Sequence, residues 1–197
     1  ALKDAKIFIA DGHHRYEAAL RYRGSVRAER EVEHDESINF RIMLMVAFDE
    51  PGLITRGYHR LVESATDEEF VAIIESLENT CDLEEWTPSA GLSANDQIEE
   101  FSVALGERQS TEVIFGLYSK EPGKFHIARM KSPAPAENAL ENSEYSQLHS
   151  HILRPVITEE REELVISPHH DAELIARQIE SGEARMAFIM RPVPLDE

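Results

Sequence analysis

The sequence has little of three things that would point directly to a function: cysteine, basic charge and long apolar runs. Its one cysteine, Cys81, cannot form an internal disulfide or, by itself, a zinc site. Twenty Lys and Arg stand against 38 Asp and Glu, a net charge of −18, so the surface has little with which to neutralise a phosphate backbone. Nucleic acid is therefore not an expected partner.

Signals for a membrane are missing as well. No apolar run reaches about 18 residues, the length needed for a membrane span. The beginning of the sequence has no basic segment followed by an apolar one, which is the pattern of a signal peptide. These absences predict a cytoplasmic protein without a membrane partner.

The size and composition of the chain predict one globular unit. Its 197 residues are 42% hydrophobic and 29% charged, which suffices for a core. The chain begins with Ala1 instead of Met and soon enters an apolar run, so we expect a single α+β unit over residues 1–197 that is the C-terminal portion of a longer protein. The absence of the N-terminal portion would leave a strand edge unpaired. An unpaired edge favours self-association, so we expect a homo-oligomer.

Hydrophobic periodicity predicts an α+β fold with a mixed, mostly antiparallel sheet and helices packed against it. The predicted strands are 7–10, 40–48, 53–55, 57–62, 81–86, 111–118, 124–130, 164–166 and 187–190. Two hairpins are predicted among them, 53–55 with 57–62 and 111–118 with 124–130. Helices are predicted from His13 to Gly24 or beyond, after a capping box at Thr66 and Glu69, at 93–105, at about 145–155, and at 172–181 with Asp171 as cap. Residues 132–142, rich in Pro, Ala and Asn, are predicted as a loop or hinge.

The most informative motif is Asp11-Gly12-His13-His14-Arg15, which lies where the first predicted strand meets the first helix. At a helix start, free backbone N–H groups and the positive end of the helix dipole favour an anion. Gly12 would let the chain approach a ligand closely, Arg15 can hold a phosphate through two hydrogen bonds, and both histidines can donate to its oxygens. The motif predicts a phosphate site.

Alternatives remain open for these residues. Asp11 has three candidate roles: capping the helix, orienting an imidazole, or holding Mg²⁺ that bridges phosphates. The whole motif could also be only a polar helix start. Adjacent histidines on a helix point about 100° apart, so His13 and His14 are not expected to share a zinc ion. Neither zinc, haem nor flavin is expected.

A second pair, His59-Arg60, comes from a predicted strand and could add positive charge to the same phosphate pocket. The alternative is that Arg60 pairs with a surface carboxylate and His59 is a half-buried strand residue. The remaining histidine pairs are weaker candidates. His149 and His151 do not share a helix face, and His169-His170 is typical of a turn before a capped helix.

Residues 11–20, which read DGHHRYEAAL, resemble the signature of domain-of-unknown-function family 1015 in bacteria and archaea. Gly52-Leu53-Ile54 followed by His59-Arg60-Leu61-Val62 resembles a second block of that family, and the likeness extends to Ala187–Pro192. It covers essentially this whole chain and about the C-terminal half of the family's usual length.

The same DGHHR string resembles that of free-serine kinases in the superfamily of ParB-like and sulfiredoxin-like domains. This resemblance implies that Asp11, Gly12, His13, His14 and Arg15 form a phosphate or nucleotide loop, with Asp11 near Mg²⁺. It implies the nucleotide-binding portion of a small-molecule kinase-like protein, acting on an amino acid of the serine type, with ADP or ATP and Mg²⁺.

The alternative function is a nucleotide-sensing or regulatory module without catalysis. In the kinases the catalytic carboxylate lies upstream of the motif, and Asp4 is the only acidic residue before Asp11 here. The catalytic residue is therefore unassigned. DNA binding, which ParB-like ancestry would suggest, is opposed by the acidic charge and by the lack of a basic recognition helix.

Overall fold

A computed structural model describes residues 6–53, 55–108, 112–120, 125–133 and 143–192 of the chain. Where the sequence predicts one unit over 1–197, the contacts within the structure group into two, residues 1–53 and residues 54–197. The second unit contains the sheet and, among the described residues, every buried side chain. The predicted loop at 132–142 falls mostly outside the described residues.

The second unit is built on a six-stranded sheet in the order β2-β4-β3-β6-β1-β5. The strands are β1 (His59–Val62), β2 (Cys81–Trp86), β3 (Ile114–Ser119), β4 (Phe125–Met130), β5 (Ile166–His169) and β6 (Met186–Ile189). All five pairings in this sheet are antiparallel. The predicted α+β class is confirmed, and the sheet of the described residues is antiparallel rather than mixed.

Helices pack on both faces of this sheet. They are α2 (Asp67–Thr80), α3 (Ala94–Gly106), α4 (Glu144–Leu148) continued by a π-helix (His149–Leu153), α5 (Glu159–Val165) and α6 (Ala172–Ser181). The predicted capping box is confirmed: Thr66 accepts from the backbone of Glu69, whose side chain accepts from the backbone of Thr66. Asp171 caps α6 as predicted, through the N–H groups of Glu173 and Leu174. No helix in the described ranges is long and apolar enough to cross a membrane.

Strand alternation divides the core into two clusters. Val62 and Phe188 belong to one cluster, together with apolar residues of α2, α4, the π-helix and α5. Leu61 and Ala187, their neighbours on the same strands, belong to the other cluster with residues of α3 and α6. Because successive strand residues point to opposite faces, the two clusters are the two sides of one sheet.

The first unit is a long helix with extended flanks. Helix α1 (His13–Glu29) has 17 residues and is followed by a short 3₁₀ turn (Ser37–Asn39). Arg30 pairs with Glu36 at 2.6 Å, and the rings of Phe8 and Phe48 stack at 5.6 Å. None of the described residues of this unit is buried. The prediction of a helix from His13 past Gly24 is confirmed.

Two predicted strands of this unit are wrong. Residues 7–10 and 40–48 form no strand, and Ile42 and Leu44 are 98% and 91% exposed. A strand needs a neighbour that takes up its backbone hydrogen bonds. Within the described part of the first unit no other strand supplies them, so apolar, β-prone composition alone does not form one. The phosphate motif consequently begins a helix without following a strand.

Two predictions in the second unit need correction. The hairpin predicted between 53–55 and 57–62 does not appear among the described residues: both sides of β1 are occupied, by β6 and β5, and residue 54 lies outside the described residues. The strand predicted at 164–166 starts two residues early: Thr158 caps α5, which continues to Val165, and β5 begins at Ile166. The pairing predicted for 111–118 with 124–130 is confirmed as β3 and β4.

Candidate functional site

The start of α1 has a backbone shape that depends on glycine. Gly12 is the N-cap residue with φ 79° and ψ 19°, a left-handed conformation that costs other residues energy because of their Cβ. Its carbonyl accepts from the backbone N–H of Tyr16 at 2.9 Å. No side chain of the described residues caps this helix start, so the first N–H groups of α1 are not satisfied by side chains.

The charged side chains of the motif contact one another. Arg15 donates from Nη2 to Oδ2 of Asp11 at 2.9 Å, and both side chains are largely exposed. Asp11 is therefore paired with Arg15 and does not cap the helix. Of the three candidate roles of this residue, helix capping does not apply. The rings of His13 and His14 lie 4.1 Å apart at 50°. The motif thus presents one guanidinium, one carboxylate and two imidazoles on an exposed helix end.

His59 is the first residue of β1 and is 5% exposed. The backbone N–H of Met190 donates to its Nδ1 at 3.1 Å, so its ring proton lies on Nε2. Burial, followed by the charges of Arg60 and His170, lowers the pKa of His59 from 6.5 to about 4. At neutral pH this imidazole is therefore uncharged and cannot attract an anion by charge.

The guanidinium of Arg60 lies over two aromatic rings. Its Cζ lies 5.0 Å from the ring centre of Tyr58 and 4.4 Å from that of Tyr145. Its Nη1 donates to the carbonyl oxygens of Tyr58 at 2.6 Å and His59 at 3.1 Å. Cation–π contacts and main-chain acceptors hold this guanidinium, and no carboxylate of the described residues pairs with it.

The predicted His59-Arg60 pair does not act as one group. Leu61 and Val62 lie in the two different core clusters, so His59 shares a face with Leu61, and Arg60 shares the opposite face with Val62. Residues 11–15 lie in the first unit and this pair in the second. The structure therefore brings together Asp11 with Arg15 and His13 with His14, and it separates His59 from Arg60.

Next to Arg60 lies a buried His–Glu pair that the sequence analysis did not single out. Nδ1 of His149 contacts Oε1 of Glu162, and the ring of His149 lies 4.1 Å from that of Tyr145. Burial, with the charges of Arg60 and Arg154, lowers the pKa of His149 to about 4. Nε2 of His149 and Oε2 of Glu162 are buried and have no hydrogen-bond partner in the part of the chain that the structure describes.

The backbone at this pair is unusual, since His149 begins the π-helix and its carbonyl accepts from the N–H of Arg154 at 2.9 Å. Wide helical turns of this type are frequent at functional sites. Tyr145 comes from α4, His149 from the π-helix and Glu162 from α5, so the three share no local spacing. The signals available in the sequence were the histidine itself and a glutamate at an apolar position of α5.

Metal ligands are sparse in the described part of the chain, which has no group of three or more His, Cys, Asp and Glu side chains arranged to hold an ion. Mg²⁺ bound together with phosphates commonly uses one or two carboxylates and keeps several waters. The single carboxylate of Asp11 is compatible with that mode.

Comparison with known proteins gives one match. The model of the family described as Protein of unknown function (DUF1015) matches residues 1–168, which is more than half of the chain. No curated protein and no solved structure matches the sequence. The matched range includes the start of α1 and the Arg60 region. The chain belongs to the DUF1015 family of proteins of unknown function.

Proposed function

We propose that the start of α1 binds the phosphate groups of a nucleotide, ADP or ATP with Mg²⁺. The observation that carries this proposal is Gly12, left-handed at a helix start that has no side-chain cap. A phosphate oxygen would accept hydrogen bonds from the N–H groups that the helix itself leaves open, at the positive end of its dipole. Arg15, one turn further along, supplies the charge-assisted contact.

The residues of the motif then have separate roles. Arg15 exchanges the carboxylate of Asp11 for phosphate oxygens, and His13 and His14 donate to the remaining oxygens. Asp11, released from Arg15, is the residue that would hold Mg²⁺ against the phosphates. His59 and Arg60 were predicted to add charge to this pocket; His59 is buried with its pKa lowered to about 4, so Arg60 is the member of the pair that carries charge at neutral pH.

The function we propose on this basis is that of a kinase-like protein acting on a small hydroxylated molecule such as an amino acid. The alternative is a module that senses the nucleotide without turnover. The alternative is favoured because Asp11, once released from Arg15, would be occupied by Mg²⁺ and would not be free to take a proton from a hydroxyl group.

Calorimetric titration with ADP, ATP and pyrophosphate, with and without Mg²⁺ at constant ionic strength, tests the proposal. We expect saturable binding, weakened about tenfold or more in Arg15→Ala, because a charged hydrogen-bonding contact is lost. Arg21→Ala is the matched control: Arg21 pairs with Glu17 at the same i, i+4 spacing on α1 but lies beyond the first turn. Equal loss in both variants would refute a site at the helix start.

Turnover separates the two versions of the proposal. With ATP and free serine, formation of ADP and a phosphorylated amino acid would support the kinase-like function. Nucleotide binding that depends on Arg15 without phosphoryl transfer would support the sensing module. Absence of nucleotide binding would contradict both.

A further inference from the structure

Arg60 differs from the other half-buried arginines of the second unit because, within the described residues, it has no acidic partner. The other side chains of this kind each lie 2.6 to 3.2 Å from a carboxylate oxygen; they are Arg108, Arg129, Arg161, Arg185 and Arg191. The chain has 38 acidic residues, so carboxylates are plentiful. A half-buried guanidinium that pairs with none of the described ones is therefore an unusual feature of this chain. The positive charge of this guanidinium must be compensated either by other interactions or by the negative charge of a bound anion.

The aromatic rings and main-chain carbonyls leave one side of this guanidinium open. Nη1 is occupied by the carbonyl oxygens of Tyr58 and His59. Nε and Nη2 have no hydrogen-bond partner among the described residues and are not among the buried unpartnered atoms, so both reach solvent. The N–H groups of these two nitrogens are parallel, and their spacing matches two oxygens of a carboxylate or a phosphate.

The neighbouring acidic group does not compete for this side. Glu162 is bound to Nδ1 of His149, and its other carboxylate oxygen lies 4.0 Å from Nε of Arg154. The ring of Tyr145 contacts both Arg60 and His149, which fixes the guanidinium with respect to the buried pair. These contacts orient the guanidinium before any ligand binds, which reduces the entropy that binding would cost.

We propose that Arg60 binds a small oxyanion, a carboxylate or a phosphate, side-on through Nε and Nη2, with the rings of Tyr58 and Tyr145 packed against its guanidinium. This site goes beyond the function proposed for α1, since it consists only of residues of the second unit. Tyr58 is 53% and Tyr145 is 44% exposed, so the ligand enters from the surface.

Side-chain NMR of the full chain tests this site directly. The Nε–H signal of Arg60, assigned by its loss in Arg60→Lys, is followed while sodium phosphate or sodium acetate replaces sodium chloride at fixed ionic strength. We expect a saturable shift of this signal. A response to phosphate alone, to acetate alone or to both identifies which oxyanion the site accepts. A signal that responds to neither anion would overturn the proposal.

Variants separate this site from other cations. Arg60→Gln is expected to weaken binding, followed on the rings of Tyr58 and Tyr145, about 10- to 100-fold. Arg185→Gln is the matched control, because Arg185 also lies over an aromatic ring, Phe70 at 4.2 Å, but is paired with Asp67; it should bind as the unaltered chain does. Arg60→Lys keeps the charge and loses the paired N–H groups, so we expect it to bind more weakly than the unaltered chain.

The outcome also distinguishes this site from the start of α1. Arg15→Ala should leave the shift of the Arg60 signal unchanged, whatever it does to nucleotide binding. Loss of the shift in Arg15→Ala, or full retention of binding in Arg60→Gln, would overturn the proposal while leaving the nucleotide proposal to its own titration.

Discussion

The backbone N–H of Met190 donates a 3.1 Å hydrogen bond to Nδ1 of His59, which ties the residue after β6 to the first residue of β1. An imidazole that accepts at Nδ1 and is buried is stable only in its neutral form. The position therefore requires a histidine that stays uncharged at neutral pH. This is a structural role, and it makes His59 sensitive to acid.

Acid should destabilise the second unit through His59. Its pKa is lowered to about 4 in the folded chain, against 6.5 for the ordinary group, so the unfolded chain binds the proton first as pH falls. Stability is therefore fully present above about pH 6.5 and is lost progressively down to about pH 4, by roughly 3 kcal/mol for this group. Urea unfolding between pH 4 and 7.5 measures the slope.

His59→Asn isolates that contribution. The asparagine oxygen can accept from the N–H of Met190 and does not titrate, so we expect a shallower dependence on pH. It should not become flat, because the pKa of His149 is also lowered to about 4. Exposed His34→Asn is the control and should keep the original slope. An unchanged slope in His59→Asn would contradict the assigned role.

Glu144 and Arg191 form a mostly buried ion pair at 2.6 Å, in which Glu144 also accepts from the N–H of Ile114 at 3.4 Å. Burial raises the pKa of Glu144 despite the nearby guanidinium. Arg191→Met would leave a buried carboxylate without its cation, so we expect a loss of about 3 kcal/mol in unfolding free energy. The double variant Glu144→Gln, Arg191→Met should lose less than the single one.

An exposed pair gives the comparison for this measurement. Arg185 pairs with Asp67 at the same 2.6 Å, but Asp67 is 87% exposed. Arg185→Met should therefore cost within about 1 kcal/mol in urea unfolding. Equal costs for the two arginines would show that burial does not decide the effect.

Gly116 of β3 is required by the packing of α3. A Cβ at this position would lie 2.3 Å from Cε1 of Phe101 and 2.8 Å from Cδ1 of Leu105. Gly116→Ala should therefore destabilise the second unit by about 1–3 kcal/mol, measured by urea unfolding. Phe101→Leu in the same chain should recover part of the loss by vacating space. Gly106→Ala, with open space around the new Cβ, is the control and should not destabilise.

Local signals in the sequence predicted local structure well. Thr66 with Glu69, and Asp171 before α6, are side chains that bond the backbone within three residues, so their patterns are complete in a short window. Residues 40–48 show the opposite case. Apolar, β-prone composition predicts that a segment prefers to be buried in a sheet, but a sheet also needs a partner, and composition contains no information about it.

The candidate sites divide in the same way. The motif at residues 11–15 could be predicted because its helix start, glycine and arginine are contiguous. The setting of Arg60 could not, because Tyr145 of α4 and His149 of the π-helix, which lie near it, are far along the chain. The opposite orientation of His59 and Arg60 follows from strand geometry alone, because consecutive residues of a strand such as β1 point to opposite faces of the sheet.

Two glycines, one at the N-cap of α1 and one inside the helix, offer a last test of the phosphate site. Gly12→Ala places a Cβ in a left-handed backbone, 3.0 Å from Nη2 of Arg15, and should weaken pyrophosphate binding through the helix start. Gly24 lies inside α1 with open space around it, so Gly24→Ala should stabilise the helix by about 0.5–1 kcal/mol. It should raise the helical content without changing pyrophosphate binding. Circular dichroism and pyrophosphate calorimetry on both variants separate the two effects. If Gly12→Ala bound pyrophosphate as tightly as Gly24→Ala, the left-handed glycine would have no part in the site, and the uncapped start of α1 would be only a helix end.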